Sequence, residues 1–382
     1  MQRILLLALL SCAVFACSEG TNGDSETPNN ILEDFSFSLD TIQIDSGEEL
    51  INLANGFRTS AVTPDRKFVF LYVPQDQGLL KIDLDAARLV ERFQFEEEGP
   101  DGVGNFPNNF QYLPGDEFVI ASYMQAGQFN LDGKKLLDLK FAPSDIPEYE
   151  SDDNSPLTNS LLLLNDGKTH VSLFGSFFQG VWDLSIIDLA SKSGKLVDLP
   201  AFDFLKDYTF MNMNGTTAMV YTEQIDVYPM NDELFVSTSA TSDIYLYDFE
   251  SDSARLIEFP HKLTARRKSA DINKEPSGDE EFNEQMETLR TQIAYKPLLW
   301  DSSSQRYYRF GDKMDPKVAD DVPRTYEVFL FAYDENLNLI GETQLENLEK
   351  APSNPFFKDG KLWSYVNIED ELGFAIMDFN FN

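Results

Sequence analysis

The sequence predicts an all-β fold, a six-bladed β-propeller closed by an N-terminal strand and carrying one helical insertion. Three observations predict it: a hairpin pattern that recurs along the chain, a second hairpin pattern before each copy, and a last copy that is cut short. Two hairpins make four strands per repeat. Repeats of four short antiparallel strands at roughly 50–70 residues are typical of propeller blades.

The recurring hairpin is clearest in residues 243–259, where Tyr245 and Tyr247 alternate with Ile244 and Leu246. Both faces of this strand are apolar, so we expect it to be covered on both sides. Its apolar-Asp-apolar step recurs, imperfectly at Asn130, in six places: Ile82-Asp83-Leu84, Phe129-Asn130-Leu131, Ile187-Asp188-Leu189, Tyr247-Asp248-Phe249, Ala332-Tyr333-Asp334 and Met377-Asp378-Phe379. The preceding hairpins start near Thr63, Leu113, Leu164, Pro229, Asp301 and Phe357.

The truncated last copy predicts how the ring closes. After each earlier copy the chain turns into a further strand, whereas only three residues follow Phe379. Residues 35–45 alternate apolar and polar side chains and have no partner nearby in sequence. We therefore expect this stretch to supply the missing fourth strand of the last blade, which removes an open sheet edge. Residues 35–382 would then form a single propeller domain.

The N-terminus has the features of a bacterial lipoprotein signal. Arg3 precedes an apolar run from Ile4, and Ala16 precedes Cys17. The run is too short for a membrane span. We predict a signal peptide at 1–16, lipid attachment at Cys17 and a flexible polar tether at 17–34. Cleavage before Cys12 and an ordinary signal with a chance cysteine are the alternatives. The expected location is the cell envelope, on the periplasmic or extracellular face of the outer membrane.

The amino-acid composition disfavours some classes of binding partner. With 65 acidic and 30 basic residues the formal net charge is −35, which disfavours nucleic acid because phosphate contacts require clustered Lys and Arg. The bland explanation for the acidity is solubility. Only two histidines and two cysteines are present, without metal-ligand spacing, so we expect no cofactor and no metal. His170 falls within a predicted strand, where packing is the expected role.

The predicted insertion spans about 260–290. Ser277 and Glu280 have capping-box spacing, and an apolar face follows at Phe282, Met286, Leu289 and Ile293. We expect a helix that docks on the outside of the ring or over one channel mouth, where it could act as a gate. The glycines of residues 96–106 are predicted to form a turn between blades rather than a phosphate cradle, because neither a helix nor a Lys follows.

One candidate binding site follows from propeller geometry. The first strand of each blade starts at the same mouth of the central channel, so the residues at those starts should converge. They are all polar: Arg58, Asn109, Asn159, Gln224, Lys296 and Asn354. Amides with one or two cations suit a polar or anionic ligand. The alternative is that strand starts are simply polar.

Several stretches resemble a known family. The lipoprotein-like start, the strand containing Asp40-Thr41-Ile42, the link at 96–104 and the segment at 108–122 are similar to those of a family of uncharacterised secreted lipoproteins of Bacteroidota. The resemblance covers nearly the whole mature chain and implies a six-bladed, NHL-like propeller of unknown function. It implies neither an activity nor site residues.

Together these features predict a lipid-anchored envelope propeller that binds a small polar ligand or a partner protein, with contact to the membrane through the anchor only. The alternative is a hydrolase or lyase that uses carboxylates at the channel mouth, with or without calcium. No catalytic residue can be named from the sequence.

Overall fold

The computed structural model describes residues 30–149, 155–164, 167–215, 217–317, 319 and 322–381. The predicted signal peptide, Cys17 and most of the predicted tether lie outside these ranges. The described chain forms a six-bladed β-propeller, so the predicted fold class is confirmed. None of its described helices is long and apolar enough to cross a membrane.

Each blade is a four-stranded antiparallel sheet. Numbered along the chain after β1 (Ser36–Gln43), blades 1 to 3 contain β2 (Ser60–Val62), β3 (Phe68–Val73), β4 (Gly78–Asp83) and β5 (Arg88–Gln94); β6 (Asn109–Leu113), β7 (Glu117–Ala121), β8 (Ala126–Asn130) and β9 (Lys135–Asp138); and β10 (Asn159–Leu163), β11 (Thr169–Ser176), β12 (Val181–Asp188) and β13 (Ser193–Val197).

The remaining elements follow the same order. A separate hairpin is formed by β14 (Phe210–Asn214) and β15 (Thr217–Tyr221). Blade 4 contains β16 (Ile225–Met230), β17 (Glu233–Thr238), β18 (Ile244–Asp248) and β19 (Ser253–Ile257), and helix α1 (Asp279–Arg290) follows. Blade 5 contains β20 (Ala294–Asp301), β21 (Arg306–Met314), β22 (Tyr326–Tyr333) and β23 (Leu339–Gln344), and β24 (Ser353–Lys358), β25 (Lys361–Ile368) and β26 (Glu371–Asn380) belong to blade 6.

The sixth blade is completed by the N-terminal strand. β1 pairs antiparallel with β26, in a register that runs from Ser36 opposite Asn380 to Gln43 opposite Gly373. The sheet order is β1-β26-β25-β24, so β1 is the outermost strand and β24 the innermost. This confirms the predicted closure. The strand itself is shorter than the predicted 35–45, because Asp45 leaves it to bridge Arg88 of blade 1.

Aromatic rings fill the space between neighbouring blades. Phe70 of blade 1 meets Phe118 of blade 2 edge-on at 4.9 Å between ring centroids. Tyr308 of blade 5 lies 5.3 Å from Phe357 of blade 6. His170 is likewise buried within β11, where it meets Phe141 edge-on at 5.4 Å, as its position in a strand predicts. Large flat side chains thus form the apolar layers that hold the blades together.

The chain holds an inserted segment in addition to the predicted one. Besides residues 258–293, the chain between blades 3 and 4 holds a 3₁₀ helix (Pro200–Asp207) and the β14–β15 hairpin. Helix α1 packs on this hairpin, with Phe282 and Phe210 ring centroids 5.0 Å apart. The two insertions therefore stabilise each other. A shorter 3₁₀ helix (Pro143–Asp145) lies between blades 2 and 3.

The start of α1 also differs from the prediction. Gly278 is the N-cap residue, and Ser277 donates its hydroxyl to Glu281 at 2.7 Å rather than pairing with Glu280. The helix begins one residue later than the capping-box spacing requires, which brings Glu281 next to Ser277. The apolar face is as predicted through Leu289, whereas Ile293 lies beyond the helix end.

Candidate functional site

The first strands of the blades surround the channel and contact one another from blade to blade. Side chains tie some of them together. The Asn109 amide donates to the Leu161 carbonyl at 2.8 Å, and the Gln111 amide donates to the Leu163 carbonyl at 2.9 Å. These cross-blade hydrogen bonds fix where the strands begin, and hence the shape of the channel mouth.

Two adjoining cavities occupy this mouth. The first, which we call the amide cavity, has a volume of about 460 Å³ and is lined by residues of blades 2, 3 and 4, including Asn109 and Asn159. The second, the proline cavity, has a volume of about 640 Å³ and is lined on the side of blades 5 and 6 by Lys296, Asn354 and three prolines. Both are within the size range of small-molecule sites.

The two cavities share one wall, formed by Arg58, Asn108, Gln224 and Asp226. All six residues that the sequence singled out therefore line one cavity or the other, and Arg58 and Gln224 line both. The structure brings these residues together. Their role in ligand binding stays a prediction.

Three of the first strands are irregular at the mouth. The pairing register shifts between Asn159 and Leu162, between Tyr295 and Leu298, and between Ser353 and Phe356. Ser160 and Asn354 have φ of 50° and 45°, in the left-handed region that costs energy for residues with a side chain. β-Bulges and strained residues are common beside binding sites because they redirect side chains. Here they fall at three predicted positions, Asn159, Lys296 and Asn354.

Arg58 is a free cation at the shared wall. Its side chain is exposed, and no hydrogen bond or ion pair engages its guanidinium within the described part of the chain. Lys296 differs, since its ammonium lies 2.9 Å from the Asp312 carboxylate. Arg58 is thus the more readily available of the two cations that the sequence predicted.

A third cation lies buried behind the mouth. Arg309 has no exposed surface; its Nε donates to the Lys296 carbonyl at 2.6 Å, and one Nη donates to the Ser242 carbonyl. Its other Nη has no partner among the residues described. An incompletely satisfied buried guanidinium keeps the nearby potential positive. Nothing in the local sequence of Arg309 indicated this role.

Two carboxylates line the mouth cavities and were missed from the sequence. Asp226 accepts from the Gln224 amide at 2.7 Å. Burial raises its pKa, and the Gln224 hydrogen bond and the charges of Arg309 and Lys296 oppose only part of that rise. Asp226 consequently gives up its negative charge more readily than an ordinary Asp. The sequence signal for Asp226 was its position two residues after Gln224, which places both side chains on the same face of a strand.

The other carboxylate, Glu223, is committed to an ion pair. Its oxygens lie 2.7 and 2.9 Å from Nζ of Lys268, and the two side chains are 2% and 3% exposed. Tyr221 and Ser239 donate further hydrogen bonds to Glu223. Because Lys268 belongs to the insertion at residues 258–293, this pair fastens that insertion beside the mouth. It leaves Glu223 without free lone pairs for proton transfer.

The charges of the mouth have a positive excess. The Glu223–Lys268 and Asp312–Lys296 pairs cancel, leaving Arg58 and Arg309 against Asp226 alone. In a chain with a formal net charge of −35 this is a local reversal of sign. A low-dielectric, concave site of this kind attracts anions.

Helix α1 and the two histidines lie away from this mouth. No residue of α1 lines either cavity, so the helix does not cover the mouth as a gate would. In the described ranges, no group of three or more His, Cys, Asp and Glu residues could hold a metal ion. Both histidines also lie away from the cavities. Burial lowers the pKa of His170 to about 4 and, together with Arg309, that of His261 to about 3.

The fold and the mouth define a class: a six-bladed propeller with a polar, cation-bearing channel mouth as its candidate binding site. The chain belongs to the family described as domain of unknown function (DUF4221), whose model matches residues 32–344. This confirms the family and fold implied by the resemblance in the sequence.

Two solved structures are similar in fold. A member of the DUF4221 family from Bacteroides vulgatus is 13% identical with a TM-score of 0.66, over 91% of this chain and 99% of that one. A protein from Bacteroides fragilis, described as exported, is 11% identical with a TM-score of 0.54, over 91% and 95%. At these identities the likeness shows the fold alone. Among curated proteins there is no match to this chain.

Proposed function

We propose that this protein is a binding propeller whose channel mouth takes a polar ligand carrying an anionic group, either a small molecule or an acidic group of a partner protein. The observation that carries the proposal is Arg58, an exposed guanidinium without a partner in the described chain, on the wall that two cavities share. A guanidinium binds carboxylate or phosphate through two parallel hydrogen bonds.

The surroundings of Arg58 favour the same ligand. Arg309 adds a buried positive charge, and the raised pKa of Asp226 weakens the one carboxylate that would repel an anion. The side-chain amides of Asn108 and Asn159 have no hydrogen-bond partner among the described residues, so they are available for the polar remainder of the ligand. Binding rather than catalysis is proposed, since the mouth offers one uncommitted carboxylate and no obvious general acid–base pair.

Calorimetric titration tests this proposal. The purified domain is titrated with cyclohexanecarboxylate, inorganic phosphate and calcium chloride, at low salt and at physiological ionic strength. We expect saturable binding of at least one anion that weakens as salt is added, because part of the attraction is exposed to solvent. Absence of anion binding at both salt concentrations would contradict the proposal. Calcium binding accompanied by turnover of an added ester or glycoside would favour the hydrolase instead.

We also propose that the domain is held at the envelope through Cys17. In support, Asn30, at the start of the described chain, packs against β23, the outer strand of blade 5: its side-chain NH₂ donates to the Glu342 carbonyl at 2.9 Å, and its side-chain oxygen accepts from the Glu342 N–H. Asn30 lines neither mouth cavity, so this end of the described chain does not occupy the proposed binding site. In a detergent phase-partition experiment, we expect the wild-type protein to enter the detergent phase and the Cys17→Ser variant to stay in the aqueous phase. Equal partition would contradict the anchor.

A further inference from the structure

We infer that the amide cavity is a subsite for a pyranose ring, so that the ligand of the mouth is an acidic saccharide. This inference rests on the proposed function, because the anionic group of the saccharide would be held by Arg58. It goes beyond it by assigning a ligand class to the chemistry of one cavity.

An aromatic platform forms one side of the amide cavity. Phe177 lines it and remains 46% exposed although it is a large apolar side chain. Its ring stands edge-on to Trp182 at 5.0 Å between centroids, and Trp182 is itself nearly buried. Phe177 is therefore held on a rigid base while one face stays open. A sugar ring presents an apolar C–H face that packs on an exposed aromatic ring of this kind.

The lining of the amide cavity also offers mixed hydrogen-bonding groups. Asn159 and Ser160 have no side-chain partner within the described ranges, and the carbonyl oxygen of the Asn109 side chain stays free because only its NH₂ group donates to Leu161. An amide and a hydroxyl can each donate and accept. Sugar hydroxyls do the same, so such a wall suits a ring with several hydroxyls better than an apolar or purely anionic molecule.

The backbone holds these groups in an unusual position. The bulge between Asn159 and Leu162 and the positive φ of Ser160 interrupt β10 at the cavity wall. A regular strand would alternate the two side chains between opposite faces of the sheet. Strain of this kind persists where the surrounding structure enforces it, and it is concentrated at ligand sites. Arg58 lines the same cavity, which places a carboxylate-binding group within reach of the ring.

Two ligands of matched size separate this inference from the proposed function. Glucuronate has a six-membered ring with hydroxyls and a carboxylate, and cyclohexanecarboxylate has the ring and the carboxylate without hydroxyls. We expect the wild-type protein to bind glucuronate about tenfold more tightly, the gain expected from one or two net hydrogen bonds. Binding should also change the fluorescence of Trp182, because Trp182 packs against Phe177.

Two variants and a control complete the experiment. Asn159→Ala should remove most of the preference for glucuronate and leave cyclohexanecarboxylate binding within about twofold, since Arg58 and Phe177 are untouched. Phe177→Ala should weaken the binding of both ligands, because both rings present C–H groups to the platform. Phe178→Ala is the control, because Phe178 is adjacent and 65% exposed but does not line the cavity. It should bind both ligands as the wild type does.

The outcomes are distinct. Equal affinity for the two ligands would overturn the saccharide subsite and leave the proposed function standing. Failure of both ligands to bind while inorganic phosphate still binds would overturn the saccharide subsite alone, and failure of phosphate as well would overturn both. Tighter binding of a short glutamate peptide than of glucuronate would assign the mouth to an acidic protein segment and overturn the saccharide. Equal weakening of both ligands by Phe178→Ala and Phe177→Ala would overturn the Phe177 platform.

Discussion

The rings of Phe35 and Phe379 meet edge-on, with their centroids 5.1 Å apart. They come from the two ends of the described chain and belong to the contact that closes the ring, next to the pairing of Leu39 with Met377. A propeller joined in this way has no open edge between its first and last blades.

Deletion of residues 35–45 should therefore destabilise the whole propeller. Without β1, the edge of β26 is exposed and the aromatic cluster around Phe379 loses Phe35. We expect a loss of several kcal/mol from a total that is typically ~5–15 kcal/mol. Thermal unfolding measures it, with Leu39→Ala as control because that side chain is half exposed. An unchanged melting temperature on deletion would refute the closure.

The buried Glu223–Lys268 pair should be costly to break and less costly to replace. Lys268→Met leaves a buried, uncompensated carboxylate at Glu223 and should cost ~3–5 kcal/mol. The double variant Glu223→Gln with Lys268→Met should recover part of that loss. Chemical denaturation of the two single variants and the double variant measures the coupling.

The matched control for this pair is Lys274→Met. Lys274 pairs with Asp207 at 3.4 Å, but both side chains are more than half exposed, so we expect a change of ~0–1 kcal/mol. If Lys268→Met were as mild as Lys274→Met, the buried pair would not fasten the insertion to the mouth.

Asp183 predicts a pH-dependent weakness in blade 3. Burial, followed by the charges of Asp198 and Asp203, raises its pKa to about 6. A carboxyl whose pKa is higher folded than unfolded favours the fold while protonated, below its unfolded pKa, and that contribution is lost as pH rises toward 6. Asp183→Asn should thus be more stable at pH 7 by about 1 kcal/mol, after allowance for solvent screening of this half-buried group, and should lose its advantage near pH 4.

Asp188, on the same strand, provides the opposite case. Hydrogen bonds from the backbone and hydroxyl of Ser191 lower its pKa, so its ionised form favours the fold above the unfolded pKa. Asp188→Asn should not stabilise the protein at pH 7. Thermal unfolding of both variants at pH 4 and pH 7 measures the difference. If both substitutions stabilised the protein equally, general charge repulsion would be responsible rather than the surroundings of Asp183.

Much of the architecture could be predicted from the sequence because a propeller repeats its local rules. The apolar-Asp step recurs in every blade. The last blade lacks a strand after Phe379, and the unpaired N-terminal strand was the candidate to fill that place. The β14–β15 hairpin was missed although Gly215, in the turn between the paired residues Asn214 and Thr217, was a visible signal. The hairpin interrupts the repeat and matches neither of the two recurring hairpin patterns.

The mouth was only partly predictable. Positions such as Arg58 and Asn354 follow from where each blade begins, which is a local property. Arg309 and Lys268 act at the mouth from other strands and from an insertion, through contacts between residues far apart in sequence. The bulges at Asn159, Lys296 and Asn354 likewise depend on the pairing of whole strands. Long-range packing of this kind leaves no local sequence signal.

The central claim, that the mouth binds an anionic ligand through Arg58, is tested most directly by comparing Arg58→Gln with Arg88→Gln. Both substitutions remove one exposed positive charge from blade 1, but Arg88 lies on the outermost strand and lines neither mouth cavity. Calorimetric titration with cyclohexanecarboxylate should show affinity lowered about tenfold or more by Arg58→Gln, the loss of a charge-assisted hydrogen bond, and unchanged by Arg88→Gln. Equal affinities for the two variants would contradict the claim.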